Sequence, residues 1–427
     1  IVFGDWSSDV CSSDLTWMQR MAIPWLVYRL TGSPILLGIT GFAGQIPSLL
    51  LSPVAGVVSD RWNRYNVLVW SQILLMVHAF VLAWLVLTDN ILVWQIVSLS
   101  FVVGCISTFE IPARHSFVTE MVERKEDLGN AIALNSLMFN GARLIGPSIA
   151  GILLTATGEG ICFLINAVSY VFVIASLLMM KISNKERKKP EAQIFRHMKE
   201  GLDYAFGFAP IKFLLFLLTL VSLMGSYQVL MPVYASEVLH GGSHTYGFLM
   251  GAGGFGALTG ALYLASRESV IKLGRLIPAS TALFGTGLII LSFTAYFPLS
   301  LLLMTFIGLG LMMHTAASNT VLQTITDDDK RGRVMSFYTM SIMGTAPFGS
   351  LLSGTMAKYL GTPATIMICG LICLTGALVF LRKLPSLREG VRPVYAKMGI
   401  IPVVAKGIQN ATEPAAHASD LISGSKG

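Results

Sequence analysis

The chain has 427 residues, of which 54% are hydrophobic and 12% are charged. Soluble domains carry about 25% charged residues, so this composition excludes an ordinary water-soluble protein. The net charge of +7 resides in short loops between apolar runs, which favours membrane topology over nucleic-acid binding. Apolar runs of roughly 20 residues recur, each long enough to cross a bilayer as a helix. The sequence therefore predicts a polytopic membrane protein.

The sequence shows none of the patterns typical of enzymes. It has no recognisable nucleophile with its base and no phosphate-binding G-x-x-x-x-G-K-[ST] loop. The five cysteines lack the spacing of metal ligands. We expect a protein without enzymatic activity, metal or cofactor.

The first fifteen residues differ from the rest. The string DWSSDVCSSDL at residues 5–15 is polar and matches the translation of a common sequencing-library adapter. We expect residues 1–15 to be non-native and to displace the true start of the first span.

Apolar runs bounded by Gly, Pro, Asn or charge predict twelve membrane spans. Six precede a hydrophilic segment at 181–212 and six follow it, so we expect an all-α protein of two six-helix bundles, 16–180 and 213–382, related by a pseudo-two-fold axis. The predicted spans are 16–31, 35–58, 67–88, 92–112, 130–156, 160–180, 213–236, 244–265, 273–294, 299–321, 334–356 and 362–381.

The loops alternate between charge-rich and charge-poor. Those at 59–66, 113–128, 181–212, 266–275 and 326–333 hold 19 Lys and Arg residues, whereas the alternate loops hold Arg29 and Lys358 alone. Positively charged loops stay in the cytoplasm, so we expect both termini there. The segment 181–212 predicts an amphipathic helix at the inner membrane surface, and 383–427 predicts a cytoplasmic, mostly disordered tail.

The two halves resemble each other at a shift of 203 residues. This shift aligns three pairs of glycines, namely Gly146 with Gly349, Gly151 with Gly354 and Gly158 with Gly361. We interpret the match as a tandem six-helix repeat, the plan of transporters whose bundles rock about a midplane site.

A polar segment, GVVSDRWNRYNV at 56–67, joins spans two and three. Its Gly56, Asp60, Arg61 and Arg64 follow the spacing G-x-x-x-D-R-x-x-R, which resembles the loop signature of the major facilitator superfamily. Gly56 permits a close helix approach, and Asp60 can face a helix N-terminus across the bundle interface. We expect these four residues and Arg114 to form a cytoplasmic gate, or the arginines to act through topology alone.

Span five contains RLIGPSIAG at 143–151. Its Gly146, Pro147 and Gly151 resemble a motif of the drug-antiporter branches of this superfamily, from which Ala150 departs. Pro147 bends a helix and the glycines permit tight packing, so generic packing and an efflux role both stay open.

Three further segments carry a resemblance at the level of a branch. EIPARHSF at 110–117, LGNAIALNS at 128–136 and the stretch 16–34 are similar to bacterial siderophore exporters of the enterobactin-exporter type and to macrolide-efflux proteins. The resemblance spans about residues 16–383. It implies a monomeric exporter of siderophore-like or drug-like molecules in the bacterial inner membrane, with an importer or a non-transporting sensor as alternatives.

Few ionisable residues lie inside the predicted spans. A charge in hydrocarbon costs several kcal/mol, so each needs a partner or a water-filled cavity. Arg20 and Arg143 are predicted to lie near the midplane with no midplane acid to neutralise them, and two guanidinium groups suit an anionic or polyhydroxylated substrate. Helix carbonyls or polar neighbours are the alternative partners. The predicted cavity residues are Gln19, Arg20, Asn140, Arg143, Tyr227 and Gln228.

Two residues are candidates for carrying a coupled proton. Glu110 is the one acid within a predicted span, but it also precedes Arg114 by four residues, the favourable order for a helical ion pair. His314 lies in span ten, whereas His78 is interpreted as a packing residue. We expect a secondary active exporter that works by alternating access and is linked to protons.

Overall fold

The computed structural model describes residues 2–121, 128–179, 203–267 and 273–398. Within these ranges the side chains at 2–16, 53, 56–61, 115–116, 118–140, 143 and 397 are not described. The side chains of the adapter-like segment, most of the predicted linker helix and the tail beyond 398 therefore lie outside the described part. Nine described helices are long and apolar enough to cross a membrane.

The described part of the first lobe contains five helices. They are α1 (Val2–Thr31), α2 (Pro34–Arg61), α3 (Arg64–Leu87), α4 (Val93–Met121) and α5 (Leu128–Met179). A straight helix of 52 residues would be about 78 Å long, well beyond a bilayer's thickness. Gly158 breaks α5 with φ 80° and ψ 170°, so its two arms supply the fifth and sixth spans.

The described part of the second lobe contains seven α-helices of nine residues or more. They are α6 (Ala209–Gly225), α7 (Ser243–Ala265), α8 (Leu273–Phe293), α9 (Phe297–Ile325), α10 (Arg331–Thr339), α11 (Ala346–Leu360) and α12 (Thr362–Lys397). A 3-10 turn at Ser226–Leu230 and a π-turn at Tyr234–Val238 follow α6, and a π-turn at Met340–Gly344 separates α10 from α11. Spans seven and eleven are therefore irregular, as functional helices often are.

The repeat predicted from the glycine alignment has a structural counterpart. Gly158 and Gly361 end equivalent helices with nearly the same backbone conformation, φ 80° and ψ 170° against φ 84° and ψ 158°. Both lie at the end of the molecule that also holds Thr31 and Pro34. We call this the charge-poor end, and the opposite end, which holds Arg64 and Arg331, the charge-rich end.

The expected disorder from residue 383 onward is wrong for residues 383–397. They continue α12 as helix, and Leu384, Leu387 and Val391 are buried in the hydrophobic core of the second lobe. Leu384 lies within 3.8 Å of the position that a Cβ on Gly274 would take. The burial of these apolar side chains stabilises the extension of the helix beyond the membrane span.

Candidate functional site between the lobes

The first contact between the lobes is a crossing of α2 with α11. A Cβ placed on Gly38 would lie 2.7 Å from the carbonyl oxygen of Ser350 and 3.0 Å from the Cα of Gly354. A Cβ placed on Gly354 would lie 2.7 Å from the carbonyl oxygen of Pro34. The two backbones therefore touch, and a side chain at either glycine would force them apart.

The second contact is a crossing of α5 with α7. A Cβ on Gly151 would lie 2.8 Å from both the Cα of Gly247 and the carbonyl oxygen of Ser243, and a Cβ on Gly247 would lie 2.6 Å from the carbonyl oxygen of Pro147. The crossing repeats the first in every part. Gly151 and Pro147 of the first lobe match Gly354 and Ser350 of the second at the 203-residue shift.

Polar and aromatic contacts reinforce the closure at the charge-poor end. The Tyr28 hydroxyl donates to Glu237 Oε1 at 3.2 Å, and the ring of Trp25 stacks on Tyr246 with centroids 6.2 Å apart. Gln45 Nε2 donates to the hydroxyl of Ser350 at 3.2 Å. The hydroxyls of Thr155 and Ser243 lie 2.8 Å apart. The lobes are thus joined over the half of the molecule that has few charges.

One face of α1 lies toward the second lobe at the charge-poor end. Trp17, Arg20, Pro24 and Tyr28 are three or four residues apart and share this face. Tyr28 reaches the second lobe, and Arg20 lies about 12 Å from it along the helix, toward the charge-rich end. The Arg20 side chain is exposed.

Arg20 is part of a small charged group on the wall of the first lobe. Its guanidinium lies 5.1 Å from the ring centroid of Trp17, and Glu110 and Arg114 are within electrostatic reach. Glu110 is buried and forms an ion pair with Arg114, whose Nε lies 3.3 Å from Glu110 Oε1. The expectation that no acid accompanies Arg20 was wrong, because α4 brings Glu110 to α1 from 90 positions along the chain.

Gln19 belongs to the interior of the first lobe rather than to the cavity wall. Its amide nitrogen donates to His78 Nδ1 at 3.2 Å, and its amide oxygen accepts from Asn166 Nδ2 at 2.6 Å. His78 Nε2 lies 3.0 Å from the carbonyl oxygen of Leu99 and donates to it. Gln19 directly precedes Arg20 on α1. Because neighbouring side chains on a helix point about 100° apart, Gln19 faces the lobe interior and does not line the cavity as predicted. His78 lies in the packed core.

We expect Gln19→Leu to weaken the fold without weakening substrate binding. The substitution leaves the buried amide of Asn166 and the ring of His78 without a partner, at a cost of roughly 1–2 kcal/mol. Thermal unfolding of the purified protein should show a lower Tm, and ligand titration an unchanged Kd. An unchanged Tm together with a higher Kd would show that Gln19 lines the cavity.

The aromatic wall predicted in the second lobe is also inside a core. Tyr227 is 1% exposed, its ring meets that of Phe284 edge-on with centroids 6.0 Å apart, and its hydroxyl lies 4.0 Å from the sulfur of Met304. Its neighbour Gln228 is half-buried on the 3-10 turn, beside Val229, which touches α2 at Gly41. Gln228 therefore remains a candidate for the cavity, whereas Tyr227 does not.

His314 lies between α8 and α9, away from the cleft. It is fully buried, and its Nδ1 is 2.8 Å from the hydroxyl of Thr281. Further along α9, Gln323 donates to Asn319 at 2.9 Å. A proton would reach His314 only through the packed interior of the second lobe.

Several predicted site residues lie where side chains are not described. These are Gly56, Asp60, Arg61, Asn140 and Arg143, whose backbones belong to α2 and α5. Of the remaining gate residues, Arg64 is half-buried at the start of α3. Gly146 and Pro147 are buried in the first arm of α5. Among the described residues, no three His, Cys, Asp or Glu side chains are placed to hold a metal ion.

The family described as transmembrane secretion effector matches residues 3–402. The chain belongs to this family. It is a branch of the major facilitator superfamily, and the arrangement of two six-helix lobes agrees with that fold.

Similar proteins of known name cover nearly the same length. This member of the family is 28% identical over 374 residues to the staphyloferrin A transporter of Staphylococcus aureus, covering 86% of this chain and 92% of the relative. It is 24% identical to the multidrug efflux pump Tap of Mycolicibacterium fortuitum, covering 86% and 92%. It is 22% identical to macrolide efflux protein A of Streptococcus pyogenes, covering 88% and 93%.

Solved structures support the fold. A bacterial homologue of the human lysosomal transporter Spinster superposes with a TM-score of 0.67 at 13% identity, covering 94% of this chain and 98% of that one. A POT family transporter in complex with 5-aminolevulinic acid gives 0.68 at 12% identity, covering 90% and 96%. Sequence identities this low support a shared fold and nothing further.

One ion pair of this transporter has no signal in the sequence. Arg29 Nε and Glu159 Oε1 are 2.8 Å apart and tie α1 to α5 at the charge-poor end. Glu159 directly follows the break at Gly158, and its carboxyl is largely buried. Two helical residues separated by 130 positions become partners through the lobe's tertiary packing.

Proposed function

We propose that this transporter exports a small anionic or amphipathic molecule across the bacterial inner membrane by alternating access of its lobes. One observation carries the proposal, namely the exposed guanidinium of Arg20 within electrostatic reach of Glu110 and Arg114, a group that we propose lines the cleft between the lobes. A charge kept within a membrane span is costly and marks a substrate or ion pathway. Siderophore transport, multidrug efflux and macrolide efflux by the relatives favour export.

The charges suggest how the substrate is held. Arg20 offers a planar fork of donors to a carboxylate or catecholate, and the face of Trp17 offers stacking to an apolar or aromatic part. Ionised Glu110 accepts hydrogen bonds from substrate hydroxyl or amine groups. An amphipathic substrate with both an anionic group and donors fits this set. If Arg143 faces the cleft as proposed, it adds a second cation.

Proton coupling follows from competition at Glu110. A proton on the carboxyl removes its negative charge and turns one oxygen into a donor, which weakens its hydrogen bonds with the substrate's donors, so proton and substrate compete. Exchanging one proton inward for one monoanion outward moves two charges in the sense favoured by an inside-negative potential. This supplies about 4.6 kcal/mol per 100 mV. His314 is not required in this scheme.

Alternating access is supported by the paired crossings. They close the charge-poor end, and we propose that the substrate enters this arrangement from the charge-rich end, which we take to face the cytoplasm. We propose that Asp60, with Gly56, Arg61, Arg64 and Arg114, latches the charge-rich end in the opposite arrangement. The lobes would pivot while the cleft stays near the midplane.

The coupling role of Glu110 is tested with Glu110→Gln, which keeps the shape but cannot ionise. In inverted vesicles the variant should lose proton-driven accumulation by at least tenfold and keep substrate counterflow, because exchange needs no proton. Glu389→Gln, an exposed position on the extension of α12, serves as the matched control. Full gradient-driven accumulation by Glu110→Gln would exclude this acid as the proton carrier.

A further inference from the structure

A second binding feature lies on the outer face of the second lobe, away from the cleft. A cavity of about 360 Å³ runs between α6 and α12. Its walls include Phe213, Phe216, Leu371, Ile372 and Val379. Phe216 is 65% exposed and Leu371 45%, although both lie within membrane spans. The groove therefore opens sideways toward the hydrocarbon of the bilayer.

The lining of the groove is almost entirely apolar and therefore favours a hydrocarbon ligand. Thr375 carries the one polar side chain among the lining residues, and its hydroxyl already donates to the carbonyl oxygen of Leu371 at 2.8 Å. Gly376 leaves space on the α12 side, where a Cβ would lie 3.2 Å from the side chains of Leu217 and Leu220. A flexible acyl chain fills such a groove without leaving a polar group unpaired.

The charge-rich end of the groove is cationic. Lys212 lies one turn before Phe216 on α6, and Lys383 lies one turn after Val379 on α12, so each continues a lining stripe. Both lysines are exposed, and Arg382 is beside them. Lysines at this depth extend toward the headgroup region and attract anionic lipid.

From this arrangement we infer that the groove between α6 and α12 binds an anionic phospholipid. An acyl chain occupies the apolar groove, and the phosphate of the headgroup lies between Lys212 and Lys383. The site belongs to the leaflet at the charge-rich end. It is separate from the cleft and does not depend on the proposed transport function.

The test is native mass spectrometry of the purified full-length protein with dioleoylphosphatidylglycerol or dioleoylphosphatidylcholine. We expect the anionic lipid to be retained in preference, by roughly fivefold per lysine. The double variant Lys212→Ala/Lys383→Ala should lose this preference. Lys358→Ala, an exposed lysine at the charge-poor end, should keep it.

A second variant examines the groove itself. Thr375→Trp at an exposed position fills the groove and should reduce retention of both lipids, while the Tm in lipid-free detergent stays near that of the wild type. Equal retention of the two lipids by the wild type would overturn the inference. So would an unchanged preference in the double variant, unchanged retention in Thr375→Trp, or displacement of the lipid by millimolar inorganic phosphate.

Discussion

Arg20→Ala should weaken substrate binding strongly while the protein still folds. Truncating one partner of a desolvated charge pair costs about 2–5 kcal/mol, so the Kd should rise roughly 30-fold or more. Folding is expected to survive because the Arg20 side chain is exposed and Glu110 keeps its contact with Arg114 at 3.3 Å. Ligands found by a thermal-shift screen of siderophores, macrolides and other drugs supply the titrant.

Two further variants sharpen this result. Arg20→Lys keeps the charge but loses the planar fork, so its Kd should fall between those of the wild type and Arg20→Ala. Arg275→Ala removes an exposed arginine outside the cleft and should bind normally. Wild-type affinity in Arg20→Ala would show that the substrate does not use this guanidinium.

Gly354→Ala and Gly151→Ala should each open the charge-poor end and reduce transport by at least tenfold. The new methyl group would lie 2.7 Å from the carbonyl oxygen of Pro34 in the first case and 2.8 Å from that of Ser243 in the second. Backbone atoms cannot turn aside as a side chain can, so the two helices must separate. Uptake into vesicles and the Tm should both fall.

Gly44→Ala is the matched control on α2. Its Cβ would lie 3.6 Å from the nearest atom, the carbonyl oxygen of Ser100, which is an ordinary contact. This variant should transport normally and gain slightly in helix propensity. Normal transport by Gly354→Ala and Gly151→Ala would show that the two helix crossings do not close the charge-poor end.

The helical architecture was accessible from the sequence because it depends on local patterns. Hydrophobic runs, loop charge and the glycine alignment predict the spans and the repeat, and Gly158 and Gly361 take matching conformations. The segment beyond residue 383 shows where a prediction from amino-acid composition fails. Leu384, Leu387 and Val391 carry a helical period that a judgement from Gly, Ala, Ser and Pro content overlooks.

The site was less accessible because it depends on helix rotation and on distant partners. Position along a span can be read from residue number, but the direction of a side chain cannot, which is why Gln19 and Tyr227 were placed in the cavity and lie in lobe cores. Glu110 reaches Arg20 through the packing of α4 on α1. Likewise Gly151 was identified as a packing residue, whereas its partner, Gly247 of the other lobe, has no local signal.

The rocking of the two lobes is tested most directly by paired spin-label distances in a cysteine-free background. Labels at 90 and 296 report on the charge-poor end, and labels at 66 and 266 on the charge-rich end; all four positions are exposed. When substrate or acid pH shifts the population, the first distance should lengthen as the second shortens. Distances that stay constant, or that change in the same direction at both ends, would contradict alternating access.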